Sequence, residues 1–269
     1  ESTKQPSFVP EGAAAGGASQ LTAEAVEKAR ALESLSEPGS INMLLEPGDE
    51  VQRLELVNLG ATFASADKPN PLGAGPRGQN EWLDSDFWTT KTFYRFNRRD
   101  DRGHLYHQAL LGGPREKIHF DPAKSAAVIV TCGGLCPGLN SVIREIVMTC
   151  THYGVKDIFG CKGGYKGMVQ PEKWVRLTEK TVQNIHTQGG TILVSDRGSP
   201  PDEEMARVLK SKGVRQYFVI GGDGTHRGAY ATLEALRAIG WECSVVGIPK
   251  TIDNDINLLD RTFGFDTAC

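Results

Sequence analysis

The chain has 269 residues, 39% of them hydrophobic and 23% charged, and its 30 Lys and Arg against 33 Asp and Glu leave a formal net charge of −3. That composition supports one large or two modest hydrophobic cores, and the even balance of sign excludes the broad basic field on which a nucleic-acid or anionic-membrane partner depends. No apolar run approaches the roughly 20 residues that span a bilayer. Glu1 to Gln20 carry no basic segment followed by an apolar one, so no secretory signal is visible. The six cysteines, Cys132, Cys136, Cys150, Cys161, Cys243 and Cys269, follow no regular framework and suit a reducing compartment.

The composition changes near residue 110. Ahead of it, a Gly/Ala/Ser-rich lead runs into Leu21 to Leu35, where Leu21, Val26, Ala29, Leu32 and Leu35 form a helical stripe behind a Thr22 cap. Pro38-Gly39, Pro47-Gly48 and the stretch Pro69 to Gly78 read as turns and linker. Within that stretch Gly73 to Gly78 matches G-x-G-x-x-G in form, but it follows no convincing strand and fails as a dinucleotide motif. Val51 to Leu59 reads as a strand. Trp82, Phe87, Trp88, Phe93, Tyr94 and Phe96 read as an aromatic arm that covers a neighbouring surface. Arg95, Arg98, Arg99 and Arg102, interrupted by Asp100 and Asp101, read as a solvated loop. Residues 1–108 are thus expected to be an irregular N-terminal extension and 109–269 a domain.

From residue 125 short β-branched runs alternate with helical stretches. Strands are predicted over Ala126 to Thr131, Asp157 to Cys161, Thr191 to Val194, Gln216 to Ile220 and Ser244 to Ile248. Helices are predicted over Leu139 to Tyr153, Thr178 to His186, Pro201 to Lys212 and His226 to Ile239. The alternation implies an α/β fold in which a parallel sheet is covered on both faces, a three-layer architecture. Ligands of such sheets collect at the carboxyl ends of the strands, which directs attention to the loops that follow them.

Four loops carry unusual residues. Cys132 to Asn140, Cys-Gly-Gly-Leu-Cys-Pro-Gly-Leu-Asn, lets a backbone approach a ligand and leads to a helix N-terminus suited to phosphate, although a tight strand-to-helix turn would look the same. Its C-x3-C spacing has no second ligand pair and does not make a zinc site. Gly221 to Thr225, Gly-Gly-Asp-Gly-Thr, places an acid between glycines after an apolar strand, which suits Mg2+ and phosphate better than packing. Pro249 to Asp255, Pro-Lys-Thr-Ile-Asp-Asn-Asp, offers a base, a second carboxylate and a cation, or equally an ordinary turn. Gly189 to Gly198 carries Arg197 at the end of an expected strand, where it can neutralise a phosphate or pair with a neighbouring acid.

In order, these segments resemble the phosphofructokinase family, in particular the plant and algal ATP-dependent 6-phosphofructokinase type that is related to the pyrophosphate-dependent enzymes. The resemblance runs from Gly113 (Gly-Pro-Arg-Glu-Lys-Ile-His-Phe) through Val130 to Asn140, Gly163-Gly164-Tyr165-Lys166-Gly167, Gly222 to Thr225 and Pro249 to Ile256, to Phe263 to Thr267. It implies a phosphofructokinase-like Rossmannoid domain that transfers the γ-phosphoryl group of MgATP to the 1-hydroxyl of fructose 6-phosphate. By that resemblance Gly134, Tyr165, Arg197, Gly198, Gly222, Asp223, Gly224 and Thr225 line the nucleotide, with Asp223 on Mg2+. Lys250, Thr251, Asp253 and Asp255 face the sugar, with Asp253 as general base. The pyrophosphate-using relatives have aspartate where this chain has Gly224, which implies ATP; Lys250 is shared with the pyrophosphate group and points the other way.

The family continues well beyond the position of Cys269, so the resemblance also implies that a C-terminal lobe is absent here. Three functional expectations follow: an ATP-dependent kinase, a truncated non-catalytic subunit of a larger assembly, or a pyrophosphate-dependent enzyme. A homo-oligomer or larger assembly is expected, in a plastid or else in the cytoplasm. A disulfide between Cys132 and Cys136 is a further possibility that the loop suggests.

Overall fold

A computed structural model of the protein describes residues 50–54, 68–73, 82–83, 88–94, 104–256 and 259–269. The helix expected over Leu21 to Leu35, most of the Gly73 to Gly78 stretch and the arginine loop lie outside them. Five short strands precede residue 120: β1 (Glu50–Leu54), β2 (Lys68–Pro69), β3 (Trp88–Tyr94), β4 (His104–Leu110) and β5 (Lys117–Ile118). The chain divides into two compact units, one holding the described residues up to 112 except 68–73 and 82–83, the other holding those two segments and everything from 113 onward.

In the first unit β1 pairs in parallel with β4, and β3 pairs antiparallel to it, with Glu50 opposite Leu105 and Trp88 opposite Leu110. The described residues of the expected extension thus include a three-stranded sheet, while its segments 68–73 and 82–83 belong to the second unit. The β-branched and aromatic run Trp-Thr-Thr-Lys-Thr-Phe-Tyr of β3 accounts for the difference, because such residues suit a pleated surface. Of the strand expected over Val51 to Leu59, β1 supplies the first four residues.

The second unit carries β2 paired antiparallel to β5 and, after them, β6 (Ala126–Thr131), α1 (Leu139–His152), β7 (Asp157–Cys161), α2 (Gly164–Met168), β8 (Trp174–Arg176), α3 (Glu179–Val182), α4 (Asp202–Ser211), β9 (Val214–Gly221), α5 (Asp223–Ala238), β10 (Ser244–Pro249) and α6 (Phe265–Ala268). Its sheet has the order β10-β9-β6-β7-β8. The four strands from β10 to β7 are parallel and β8 is antiparallel, so the sheet is mixed where a parallel one was expected.

Period-two alternation along β6 divides the core between the two faces. Val128 and Val130 join Met168, Met205, Leu209 and Leu236 on one side, while Ala127 and Ile129 join Leu139, Ile143, Val147 and Val182 on the other. A strand buried on both faces reads as continuous apolar sequence, and all six residues of β6 are buried.

Thr191 to Val194, expected as a strand, is a turn. The Thr191 hydroxyl accepts the Leu193 amide at 3.1 Å and the Thr191 carbonyl accepts the Val194 amide at 3.2 Å, local bonds that displace a ladder. Val194 takes a left-handed φ of 56°. Leu193 is still fully buried because it fills the space above Gly160, where a Cβ would lie 2.3 Å from its Cδ2. Thr178 caps α3 through a reciprocal bond with Thr181, and the rest of the helix expected to His186 is a separate 3-10 turn, Ile185–Thr187. α5 begins three residues earlier than expected, which places Asp223, Gly224 and Thr225 in its first turn.

Candidate functional site

The carboxyl ends of β6, β9 and β10 open into one cleft of about 380 Å3. Gly134, Tyr165, Arg197, Gly198, Gly222, Gly224 and Thr225, expected at the nucleotide, line it together with Lys250, which was expected beside Thr251, Asp253 and Asp255 at the sugar, and with Cys132, Gly133, Asp196, Ser199 and Gly228. Asp196, Ser199 and Gly228 were missed. Gly228 carried a signal, because it lies four residues after Gly224 on one helix face.

Each turn is braced by a neighbour. After β6 the chain bridges to Asp196, with the Gly133 amide donating to the Asp196 carbonyl at 3.2 Å and the Ser195 hydroxyl donating to the Gly133 carbonyl at 2.5 Å. The Lys250 ammonium donates to the Gly134 carbonyl at 2.6 Å, and the Lys250 amide to the Gly221 carbonyl at 2.9 Å. Lys250 is 6% exposed, and burial holds its pKa below the ordinary lysine value, against the pull of the nearby Cys136 and Cys132 thiols. It therefore ties two turns of the cleft together.

Tyr165, 4% exposed, reaches from α2 to donate its hydroxyl to the Thr225 carbonyl at 2.5 Å. Burial pushes the phenol well above its usual pKa and keeps it a donor. Its ring lies where a Cβ on Gly228 would stand, 2.9 Å from Cε2, and the Thr225 side chain occupies the space of a Cβ on Gly221 at 2.4 Å. Lys166 pairs with Asp196 at 3.2 Å on the exposed rim. The Arg197 backbone N–H first, and Lys166 second, hold the Asp196 carboxyl below its usual range.

The remaining residues expected at the site are placed apart from this lining. The Asp223 carboxylate is largely exposed at the first position of α5 and pairs with Arg227 one turn on. Thr251, Asp253 and Asp255 belong to a turn after β10 that bonds to itself: the Thr251 hydroxyl donates to Asp255 at 2.8 Å and accepts the Asp253 amide at 3.2 Å. Asn254, at φ 52°, holds that turn by accepting the Thr262 amide at 2.8 Å. Asp253 and Asp255 are both exposed. Among the described residues no three His, Cys, Asp or Glu side chains converge as a metal cage. One exposed carboxylate fits a magnesium ion that takes most of its ligands from water and phosphate, and the free helix amides beside it fit the phosphate.

Asn140, quoted only as the end of a loop motif, proves central to the geometry. It is 2% exposed, its amide donates to the Gln188 carbonyl at 3.1 Å, and its oxygen accepts the Ile192 amide at 2.8 Å. With the Thr131 hydroxyl on the Val194 carbonyl at 2.9 Å, it anchors the segment that leads to Arg197.

The phosphofructokinase family model matches residues 126–269, more than half of the chain and the whole of the cleft. The chain belongs to the phosphofructokinase family. An ATP-dependent 6-phosphofructokinase 5, chloroplastic, of Arabidopsis thaliana is 51% identical over 157 residues, 58% of this chain and 29% of that protein. An ATP-dependent 6-phosphofructokinase of Borreliella burgdorferi is 43% identical over 192 residues, 68% of this chain and 43% of its own length. Among solved structures, a pyrophosphate-dependent phosphofructokinase from Marinobacter aquaeolei aligns at 20% identity with a TM-score of 0.49, covering 52% of this chain and 37% of that one. The chain spans about a third of the length of the Arabidopsis relatives it matches. The mixed α/β sheet with helices on both faces is thus a phosphofructokinase-like fold. No helix among the described residues is long and apolar enough to cross a membrane.

Proposed function

We propose that this chain forms the nucleotide-binding part of an ATP-dependent 6-phosphofructokinase, which transfers the γ-phosphoryl group of MgATP to the 1-hydroxyl of fructose 6-phosphate. The observation that carries the reading is the cleft itself: the Gly-rich turns after β6 and β9 meet in one pocket with Lys250 and Arg197 on its wall. Relatives about half identical across this region bear the name of that activity.

In this reading the amides of Gly134, Asp223 and Gly224 receive phosphate oxygens, and Arg197 neutralises charge from the rim. Asp223 holds magnesium once Arg227 yields it; the bound ion supplies charge neutralisation for the transferring phosphoryl group. Gly224 presents no side chain, and a Cβ there would meet nothing within 4 Å, so the floor has room for a nucleotide beyond its outer phosphates. That favours ATP over pyrophosphate. Asp253 accepts the proton of the sugar hydroxyl, with Thr251 and Asp255 fixing the turn that carries it. Positioning and charge neutralisation account for most of the acceleration in such transfers.

The test is a coupled assay on purified protein that carries this chain, with ATP and pyrophosphate as alternative donors. Fructose 1,6-bisphosphate is expected with ATP alone, and Asp253→Asn should lower kcat by about 10²- to 10⁴-fold with little change in nucleotide affinity. Turnover with pyrophosphate in place of ATP would overturn the donor assignment. Assembly into oligomers belongs to the same reading and is tested by sedimentation. Two of the plant relatives are named chloroplastic; we place the protein in the plastid, and a fluorescent fusion confined to the cytoplasm would reject that placement.

A further inference from the structure

The first turn of α5 contains a histidine that the proposed mechanism does not use. The His226 Nδ1 lies 2.8 Å from the Gly222 carbonyl oxygen, which also accepts the Thr225 amide at 3.0 Å and the His226 amide at 3.1 Å. A carbonyl oxygen only accepts, so Nδ1 carries the proton and Nε2 is left as the acceptor. That Nε2 is buried without a hydrogen-bond partner. An unpaired buried acceptor weakens a fold, so stability does not explain this ring orientation.

The space for the ring is made on the neighbouring strand. A Cβ on Gly247 of β10 would stand 2.4 Å from His226 Cδ2 and 2.8 Å from Nε2. Gly247 pairs with Val219, two residues ahead of the β9 turn, and lies three residues before Lys250. The imidazole is thus wedged between the strand that delivers Lys250 and the helix that begins in the cleft. Gly222 supplies no side-chain cap of its own, so the histidine is the side chain that fixes its carbonyl.

We propose that His226 is a positioning residue for the phosphate turn Gly222–Thr225, and that Gly247 is glycine in order to admit its ring. Nδ1–H adds a third donor to the Gly222 carbonyl and holds it toward the helix, which fixes the direction of the Asp223 amide on the other side of the same peptide; that amide and the Gly224 amide, like the first amides of any helix, have no acceptor within it. These are the groups available to a phosphate. The inference rests on the nucleotide-binding reading above and adds to it a residue that acts through the backbone.

The test compares wild type, His226→Phe, His226→Asn and Gly247→Ala as full chains, by calorimetric titration with MgATP and with adenosine and by thermal melting. Phe keeps the ring volume and removes the donor; Asn returns a donor at the position of Nδ1; Ala at 247 displaces the ring without touching it chemically. His226→Phe and Gly247→Ala should each raise the MgATP Kd about tenfold, the loss of one hydrogen bond at the upper end of its usual net worth. Adenosine affinity should hold, and His226→Asn should return MgATP binding to within about threefold of wild type. His226→Phe should melt close to wild type, since removing an unpaired buried acceptor offsets the lost Nδ1–H bond. If wild type binds MgATP and both His226→Phe and Gly247→Ala bind it equally well, the positioning role is wrong. Parallel losses of MgATP and adenosine affinity with a lowered melting point would show a merely structural role and also overturn it. A wild-type chain that binds no MgATP rejects the nucleotide reading itself, and this inference with it.

Discussion

Replacing Asn140 by alanine tests whether the Arg197 segment is held as the structure implies. Both polar atoms of this buried side chain are engaged, one with the Gln188 carbonyl and one with the Ile192 amide. Alanine removes two bonds and leaves both backbone partners unpaired, at a combined cost of about 2 to 4 kcal/mol from the usual worth of such bonds and orphaned groups. For a domain of this size that lowers the melting temperature by about 5 to 15 °C. Amide hydrogen exchange should accelerate at Ile192 more than at β6, because opening of the turn no longer breaks the side-chain bond. Aspartate at the same place sharpens the test. A protonated carboxyl reproduces both bonds, whereas the carboxylate faces the Gln188 carbonyl, so burial and bonding raise its folded pKa above the unfolded value of about 3.9. The stability of Asn140→Asp should then match wild type below about pH 3.9 and fall away as pH rises through the folded pKa. An alanine variant within about 1 kcal/mol of wild type, or an aspartate variant whose deficit does not depend on pH, refutes the anchoring role.

Val194 is a β-branched residue at φ 56° with 55% of its surface exposed, so Val194→Gly relieves left-handed strain and uncovers little. The gain should be about 0.5 to 1 kcal/mol in thermal or urea unfolding; a destabilised variant contradicts it. Cys132, Cys150, Cys161 and Cys243 are buried, and burial pushes them to about 11, 11, 12 and 12 respectively, so native-state alkylation at pH 8 should find a fast thiol at the exposed Cys269 and none at these four. Rapid cross-linking of Cys132 to Cys136 by a mild oxidant would contradict this burial. Asp223→Asn should weaken ATP binding in magnesium and leave binding in EDTA unchanged. Its melting temperature should hold, since the exposed pair with Arg227 contributes about 0 to 1 kcal/mol; equal affinity in magnesium removes Asp223 from the metal site.

The strands that make the sheet were legible because burial on both faces leaves a plain mark: Ala126–Thr131 and Asp157–Cys161 have the bounds their β-branched runs predict. The cleft was legible for a different reason. Glycines beside an acid at a strand end are poor packing material, so Gly222 to Thr225 stands out on chemistry alone, whereas Gly133-Gly134 reads equally as a tight turn until its place in the sequence of motifs is seen. Thr191 to Val194 misled because a turn that buries Leu193 shares the apolar composition of a strand, and only Gly160, opposite Leu193, tells them apart. β8 was missed because three residues carry no period. Asn140 and His226 were missed because their work depends on partners remote in sequence: Asn140 reaches 48 and 52 residues along the chain, and His226 owes its place to Gly247. The acids after β10 show the converse. Their two-residue spacing was visible at once, because the turn that holds them is local and bonds to itself through Thr251 and Asp255.

One arrangement recurs around the cleft and explains how a chain of net charge −3 can offer a site to a polyanion. Ser195 donates to the Gly133 carbonyl, Lys250 to that of Gly134, His226 to that of Gly222 and Tyr165 to that of Thr225. In a trans peptide the carbonyl and the following N–H point in opposite directions. Side chains that draw these carbonyls to themselves therefore turn the amides of Gly134, Leu135 and Asp223 away from them, as an oriented set of partial positive charges. Tyr165 and Lys250 are buried, so the set is fixed before any ligand arrives. Attraction built from oriented dipoles at short range is screened by salt far less than attraction built from exposed lysines. On the proposed reading, the cleft therefore needs no broad basic surface to receive a phosphate.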